Sequence, residues 1–268
     1  MKIFAITNQK GGVGKTSVAV NLAASLAHYG QRVLLVDLDP QGNATTGSGI
    51  DKGEPENNIY DLLLGEATLN EARVKSEAGY DVLPANRELA GAEIEMIDLE
   101  RREFRLKEAF ATSHNEYDFV LIDCPPALNL LTVNALTAAD AVIIPMQCEY
   151  YALEGLSDLV GTLRKVKENL NPTIEIEALV RTMYDPRSAL TVQVSEQIKQ
   201  HFGAKVFDTV IPRNIRIAEA PSFGKSVLQH DMQSKGAIAH LAFARELLER
   251  EGITAEHKKS PKAEEIIE

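Results

Sequence analysis

The chain has 268 residues, 44% hydrophobic and 25% charged, enough apolar material for one large core, and its net charge of −11 argues in bulk against a nucleic-acid binder. No run approaches the roughly 18 to 20 apolar residues of a membrane span and no signal-peptide pattern opens the chain, so a cytoplasmic protein is expected. Cys124 and Cys148, the only cysteines, are too few and too far apart for a disulfide framework or a four-ligand metal site, which leaves two buried reduced thiols.

In chain order, a strand "KIFAITN" leads into the glycine-rich stretch "NQKGGVGKTS" (residues 8–17) and a helix from Thr16 to about Tyr29. Gly30 ends that helix and "RVLLVDLD" returns the chain to a sheet. Residues 86–110 carry heptad-like apolar spacing with dense mixed charge, which predicts one long surface helix, or two with a break near Asp98. The strands "YDFVLIDCPP", "DAVIIPMQCE", "IEIEALVRTMY" and "VFDTVIP" follow, each a continuous apolar run as expected where both sheet faces are buried. This alternation predicts an α/β three-layer sandwich, a mostly parallel twisted sheet flanked by helices, of P-loop NTPase type. One domain is expected over residues 1–252, with no repeat and no N-terminal helix-turn-helix extension. Residues 253–268 are expected to form a polar, flexible tail without the broad apolar face of a membrane-surface helix.

The stretch at 8–17 nearly matches the phosphate-binding pattern G-x-x-x-x-G-K-[ST], but Gln9 stands where the first glycine belongs and Lys10 follows it. Set between a strand and a helix start, the amides of Gly11, Gly12, Val13, Gly14, Lys15 and Thr16 converge on β-phosphate oxygens at the positive helix end. Lys15 would bridge the β- and γ-phosphates and the Thr16 hydroxyl would ligate Mg²⁺. Asp123, closing "FVLID", is the carboxylate expected to hold Mg²⁺ through a water. Strand alternation puts Asp37 and Asp39 on the same face, so neither is excluded. Asp39, nearer the loop, is the candidate for orienting the attacking water and for the metal's surroundings, and Asp37 remains open beside it.

Together "KGGVGKT", "VLLVDLDPQGNAT", "VLIDCPP", "PMQCEYYALEGL" and "VIPRNIRIAEAPSFGKSV" resemble the ParA/Soj chromosome- and plasmid-partition ATPases. That deviant-Walker-A group also contains MinD and the nitrogenase iron protein. Ser17 stands where the family usually has a second Thr, and keeps its hydroxyl. The resemblance implies an ATP- and Mg²⁺-dependent ATPase that closes into a homodimer around nucleotide, with Lys10 reaching the partner's phosphates as an arginine finger does. It implies that Pro212, Arg213 and Asn214 lie against adenine, that Pro125 and Pro126 form a second switch, and that Asn129 approaches the nucleotide. It also implies non-specific binding to double-stranded DNA and a ParB-like centromere-binding partner that stimulates hydrolysis, hence a nucleoid-associated protein.

Residues 181–250 hold ten Lys and Arg against seven Asp and Glu, a locally basic segment in an acidic chain. By the resemblance, Arg187, Arg216, Lys225 and Lys235 are the candidate DNA contacts, although Asp185 and Glu219 stand close enough in sequence to balance the arginines. A MinD-like regulator would need an amphipathic C-terminal helix. An iron protein would share a cluster through Cys124 and Cys148, and a small-molecule kinase would need a lid insertion. The tail lacks such a helix and no long insertion supplies a lid, while Cys124 adjoins Asp123 and Cys148 ends a strand that reads as buried, which speaks against the cluster.

Overall fold

The computed structural model describes residues 1–111 and 116–255. Most of the expected tail, residues 256–268, lies outside them. The strands are β1 (Lys2–Ile6), β2 (Val33–Asp37), β3 (Val74–Lys75), β4 (Asp81–Leu83), β5 (Phe119–Asp123), β6 (Ala141–Gln147), β7 (Glu175–Tyr184) and β8 (Val206–Pro212). They form one eight-stranded sheet in the order β3-β4-β2-β5-β1-β6-β7-β8, parallel throughout except for β3, which pairs antiparallel with β4.

The continuous apolar runs divide by strand period between two cores. Ile3 and Ala5 of β1, Leu34 and Val36 of β2, and Val120 and Ile122 of β5 face one. Phe4 and Ile6, Val33 and Leu35, and Phe119 and Leu121 face the other. Alternation sends successive side chains to opposite faces, and helices cover both, so no polar face is needed. The six strands expected from apolar runs are all present. β3 and β4 are too short, at two and three residues, to stand out by composition.

The first helix, Lys15–His28, is buried from Val18 to Leu26 and packs on the sheet and on the last helix, Lys235–Arg250. It stops where Gly30 takes φ +82°, with Gly30 N–H donating to Ala27 O and Gln31 N–H to Leu26 O, the paired bonds that close a helix on a left-handed residue. Its polar positions are used: Asn21 Oδ1 accepts from Val227 N–H at 2.7 Å, tying the first helix to the start of the short helix Val227–His230.

The charged stretch at 86–110 takes the second expected form. Helices Leu89–Glu95 and Arg105–Phe110 are separated by turns at Met96–Asp98 and Arg102–Phe104, with Arg101 at φ +55°. Docking sets the break. Asn134 on the helix Leu130–Ala138 accepts from Leu106 N–H at 3.2 Å and donates to Arg102 O at 2.8 Å, which re-phases the second half so that Leu106 and Phe110 are buried. Cys124 and Cys148 are 1% and 5% exposed, and burial pushes both thiols up, Cys148 to about 11. Among the described residues no helix is long and apolar enough to cross a membrane.

Candidate nucleotide-binding site

The glycine loop follows β1 at the carboxyl edge of the sheet, flanked by β5 and β6. Gly12 and Gly14 adopt φ +73° and +90°, conformations that side chains resist. The neighbouring strands anchor the loop by its carbonyls. Gln147 Nε2 donates to Gly12 O at 2.9 Å and the Thr182 hydroxyl to Val13 O at 2.7 Å. Since a trans peptide sets each carbonyl opposite the following N–H, these two bonds turn the amides of Val13 and Gly14 the other way, toward the helix mouth. An anion-binding concavity results. Gln147 and Thr182 escaped the sequence reading. Their signal was a polar residue at the carboxyl end of an otherwise apolar strand.

Lys15 is only 8% exposed and its Nζ donates to Lys10 O at 3.1 Å, folding the side chain along the loop. Burial lowers its pKa, while Asp123 and Asp39 favour the charged form. Thr16 and Ser17 form the first turn of the helix, and Ser17 also lines the base-sized cavity described below.

β2 ends at Asp37, so Asp39 lies beyond the strand, and the expected alternation through both does not hold. Leu38 between them is fully buried. The two carboxylates differ as a result. Asp37 is buried, accepting from Thr45 N–H and the Thr45 hydroxyl, both at 2.7 Å, and from Asp39 N–H at 3.2 Å. Burial raises it to about 6 against the pull of those bonds. Asp39 is half-buried, its Oδ1 accepting from Gln41 N–H at 2.9 Å.

Asp123 stands in register with Asp37 on one side and Ile6 on the other. It is 1% exposed, and neither carboxylate oxygen has a hydrogen-bond partner. Burial raises its pKa well above the carboxylate range and Asp37 adds to this, while the Thr16 hydroxyl, near but outside bonding geometry, and Lys15 act against it. Buried unpaired carboxylates are rare, and this one sits beside the loop lysine. The donors fit Mg²⁺, which takes hard oxygens from one hydroxyl or carboxylate and fills the remaining positions with phosphate and water. Among the described residues no group of three His, Cys, Asp or Glu side chains could hold a metal unaided.

Beside the loop a cavity of about 170 Å³ is lined by Gly14, Ser17, Met183, Pro212, Arg213 and Asn214, among others. Asn214 caps the helix Ile215–Glu219, its Oδ1 accepting from Arg216 N–H at 2.9 Å. The structure thus brings the "PRN" segment and the phosphate loop to one concavity. Asn129 is placed differently. It caps Leu130–Ala138 and its amide donates to Glu93, so both ends of its side chain serve the fold.

Lys10 is half-exposed and pairs with Glu149, Nζ to Oε2, at 2.5 Å. Arg187 is paired with Asp185 at 2.9 Å and holds that carboxyl down to about 2, and Arg216 pairs with Glu219 at 2.9 Å and Asp231 at 3.4 Å. Lys225 and Lys235 are exposed, with no ion-pair partner among the described residues. The helices that carry Arg216 and Lys235 touch, so two of the four candidate cations belong to neighbouring elements.

Residues 1–176 match the AAA domain family. The chain is 52% identical over 254 residues to the chromosome partitioning protein ParA of Caulobacter vibrioides, covering 94% of this chain and 95% of that one. It is 53% identical over 247 residues to the sporulation initiation inhibitor protein Soj of Bacillus subtilis, covering 92% and 98%. Among solved structures, cobyrinic acid a,c-diamide synthase from Mycobacterium smegmatis, with bound ATP analog and magnesium, superposes with a TM-score of 0.82 at 35% identity, covering 97% of this chain and all of that one. With a parallel sheet, a loop of this geometry and identity spread over nearly its whole length, the chain belongs to the ParA/Soj family of chromosome-partitioning ATPases.

Proposed function

We propose that this protein is an ATP-driven partition switch. The loop from Gly11 to Ser17 binds the phosphates of ATP, Lys15 neutralises the β- and γ-phosphates, and Thr16 with Asp123 holds the Mg²⁺ side. Bound Mg²⁺ would supply Lewis-acid stabilisation of the phosphate oxygens. Asp39, half-buried just beyond its strand, orients the attacking water. Pro212, Arg213 and Asn214 bound the base. Residues 1–252 act as one ATPase domain.

Lys10 completes the site of a second copy. Its charge acts on the transferred phosphoryl group, so two subunits of net charge −11 stay face to face only while the γ-phosphate is present. The closed homodimer binds double-stranded DNA through Arg187, Arg216, Lys225 and Lys235 from both subunits, without sequence preference. A ParB-like centromere-binding partner stimulates hydrolysis to ADP and phosphate, and the dimer leaves the nucleoid. The observation that carries the enzymatic part is the buried, unpartnered Asp123 carboxylate beside Lys15 and Thr16.

Binding to a random-sequence duplex with ATP, ADP or no nucleotide, for the wild type and Lys10→Ala over a range of salt, tests the reading. Salt-sensitive binding that requires ATP and disappears with Lys10→Ala is expected. ATP-dependent dimers that bind no DNA would keep the nucleotide switch and redirect its output to another cargo. Dimers that form equally well with ADP would end the switch reading.

A further inference from the structure

His240, in the last helix, is fully buried, yet only one of its ring nitrogens is used. Nδ1 lies 2.9 Å from Gly236 O in the preceding turn. A carbonyl can only accept, so Nδ1 carries the proton and Nε2 is left as a bare acceptor. Nε2 is buried without a partner. His240 lines the same cavity as Gly14, Ser17, Pro212 and Asn214. Burial lowers its pKa to about 4, so the ring is neutral at physiological pH and keeps that acceptor.

A complementary donor stands nearby. Asn214 spends its Oδ1 on Arg216 N–H, leaving Nδ2 without a partner among the described residues. A Cβ added to Gly236 would stand 3.2 Å from Asn214 Oδ1, which places Asn214 against the residue whose carbonyl orients His240. Two residues that line the cavity therefore carry one unused acceptor and one unused donor. Adenine offers the matching pair, an amino donor at C6 beside a ring-nitrogen acceptor, whereas guanine turns an acceptor, O6, toward the same place.

We propose that His240 is a base-specificity residue, its Nε2 accepting a hydrogen bond from the 6-amino group of an adenine bound in this cavity. Guanine is rejected because two acceptors then face each other in a buried site. The assignment rests on the reading of the glycine loop as a nucleotide site with its base in this cavity. It adds the last helix to a site whose lining also includes the loop, β7 and the "PRN" segment.

Competition binding of ATP, GTP and the triphosphate of purine riboside, which is adenosine without its 6-amino group, tests this in the wild type, His240→Phe and His240→Gln. The wild type is expected to prefer ATP to the deamino analogue about tenfold, the usual scale of one buried hydrogen bond. His240→Phe should bring that ratio within about twofold, and His240→Gln, whose amide oxygen reaches the Nε2 position, should restore it. Each ratio is taken within one variant, so a general loss of stability cannot mimic the result. An unchanged ratio in His240→Phe would overturn the assignment and leave the nucleotide site standing. Failure of the wild type to bind any of the three would overturn the nucleotide-site reading itself.

Discussion

Lys10 and Glu149 form an ion pair at 2.5 Å that joins the glycine loop to the segment after β6. Both side chains are about half-exposed, at 43% and 50%, so the pair is weak and readily exchanged. In this state the lysine proposed to act in the second subunit is held by its own. Glu149→Gln should therefore strengthen ATP-dependent dimerisation, by no more than about fivefold given the usual size of exposed pairs. Sedimentation velocity with ATP across a concentration series reads this directly, and an unmoved dimerisation constant would remove Glu149 from the switch.

Asp123→Asn should lower ATP turnover about 100-fold or more at saturating Mg²⁺, because it removes the carboxylate proposed to hold the cation that offsets the phosphates' charge. Without nucleotide it should not destabilise the fold. The folded-state pKa of Asp123 is raised, so the ionised carboxylate disfavours folding at neutral pH, and the neutral amide avoids that cost. A urea melt at pH 7.5 beside a phosphate-release assay separates the two effects. A large loss of stability would mean that Asp123 has a structural partner.

Thr45 holds the neighbouring carboxylate. Its hydroxyl donates to Asp37 and accepts from Ala85 N–H at 2.9 Å, all in buried surroundings. Thr45→Val leaves both groups short of a bond, and a loss of about 2 to 4 kcal/mol in unfolding free energy is expected. Equilibrium denaturation measures it. A loss below about 1 kcal/mol would mean that the segment from Asp39 to Gly47 re-pairs on its own.

His240 and Asp37 should pull stability in opposite directions below neutrality. The folded-state pKa of His240 is depressed to about 4, so the unfolded chain takes up its proton first and stability falls as pH drops from about 6.5 toward 4. The pKa of Asp37 is raised to about 6, so the folded chain takes up its proton first and stability rises as pH falls through that value. His240→Phe removes the first effect. Between pH 7.5 and pH 5 the variant should gain stability relative to the wild type in chemical denaturation. Parallel pH profiles would show that His240 titrates normally.

On DNA, Lys225→Ala and Lys235→Ala should each reduce the log–log salt slope by about 1.8, the loss of one phosphate contact from each subunit of the dimer. Arg187 and Arg216 must first exchange Asp185, Glu219 and Asp231 for phosphate. Their alanine variants leave those carboxylates unpaired near the duplex, so they should also weaken binding at low salt. Filter binding over a salt series distinguishes a changed slope from a shifted intercept.

The six long strands, the helix after the glycine loop and its stop at Gly30 were legible because each is set by neighbours within a few residues: apolar period, positive φ, helix capping. The break in residues 86–110 was half-legible. Charge and spacing allowed it near Asp98, but its placement came from Asn134, a residue on another helix. The short strands β3 and β4 carry too few residues for a period to show.

The site divides in the same way. Gly12, Gly14, Lys15 and Thr16 could be assigned from spacing, because a strand, a turn and a helix start suffice to aim backbone amides and one lysine. The difference between Asp37 and Asp39 could not, since it depends on where β2 ends and on Thr45 reaching back to the sheet. Gln147, Thr182 and His240 join the loop only because β6, β7 and the last helix pack around it. The sequence by itself determined the local backbone that can cradle phosphate. Which side chains anchor that cradle, which carboxylate is left without a partner and which residues line the cavity beside it were decided by tertiary packing, because hydrogen-bond partners distant in the chain are chosen only when the layers close.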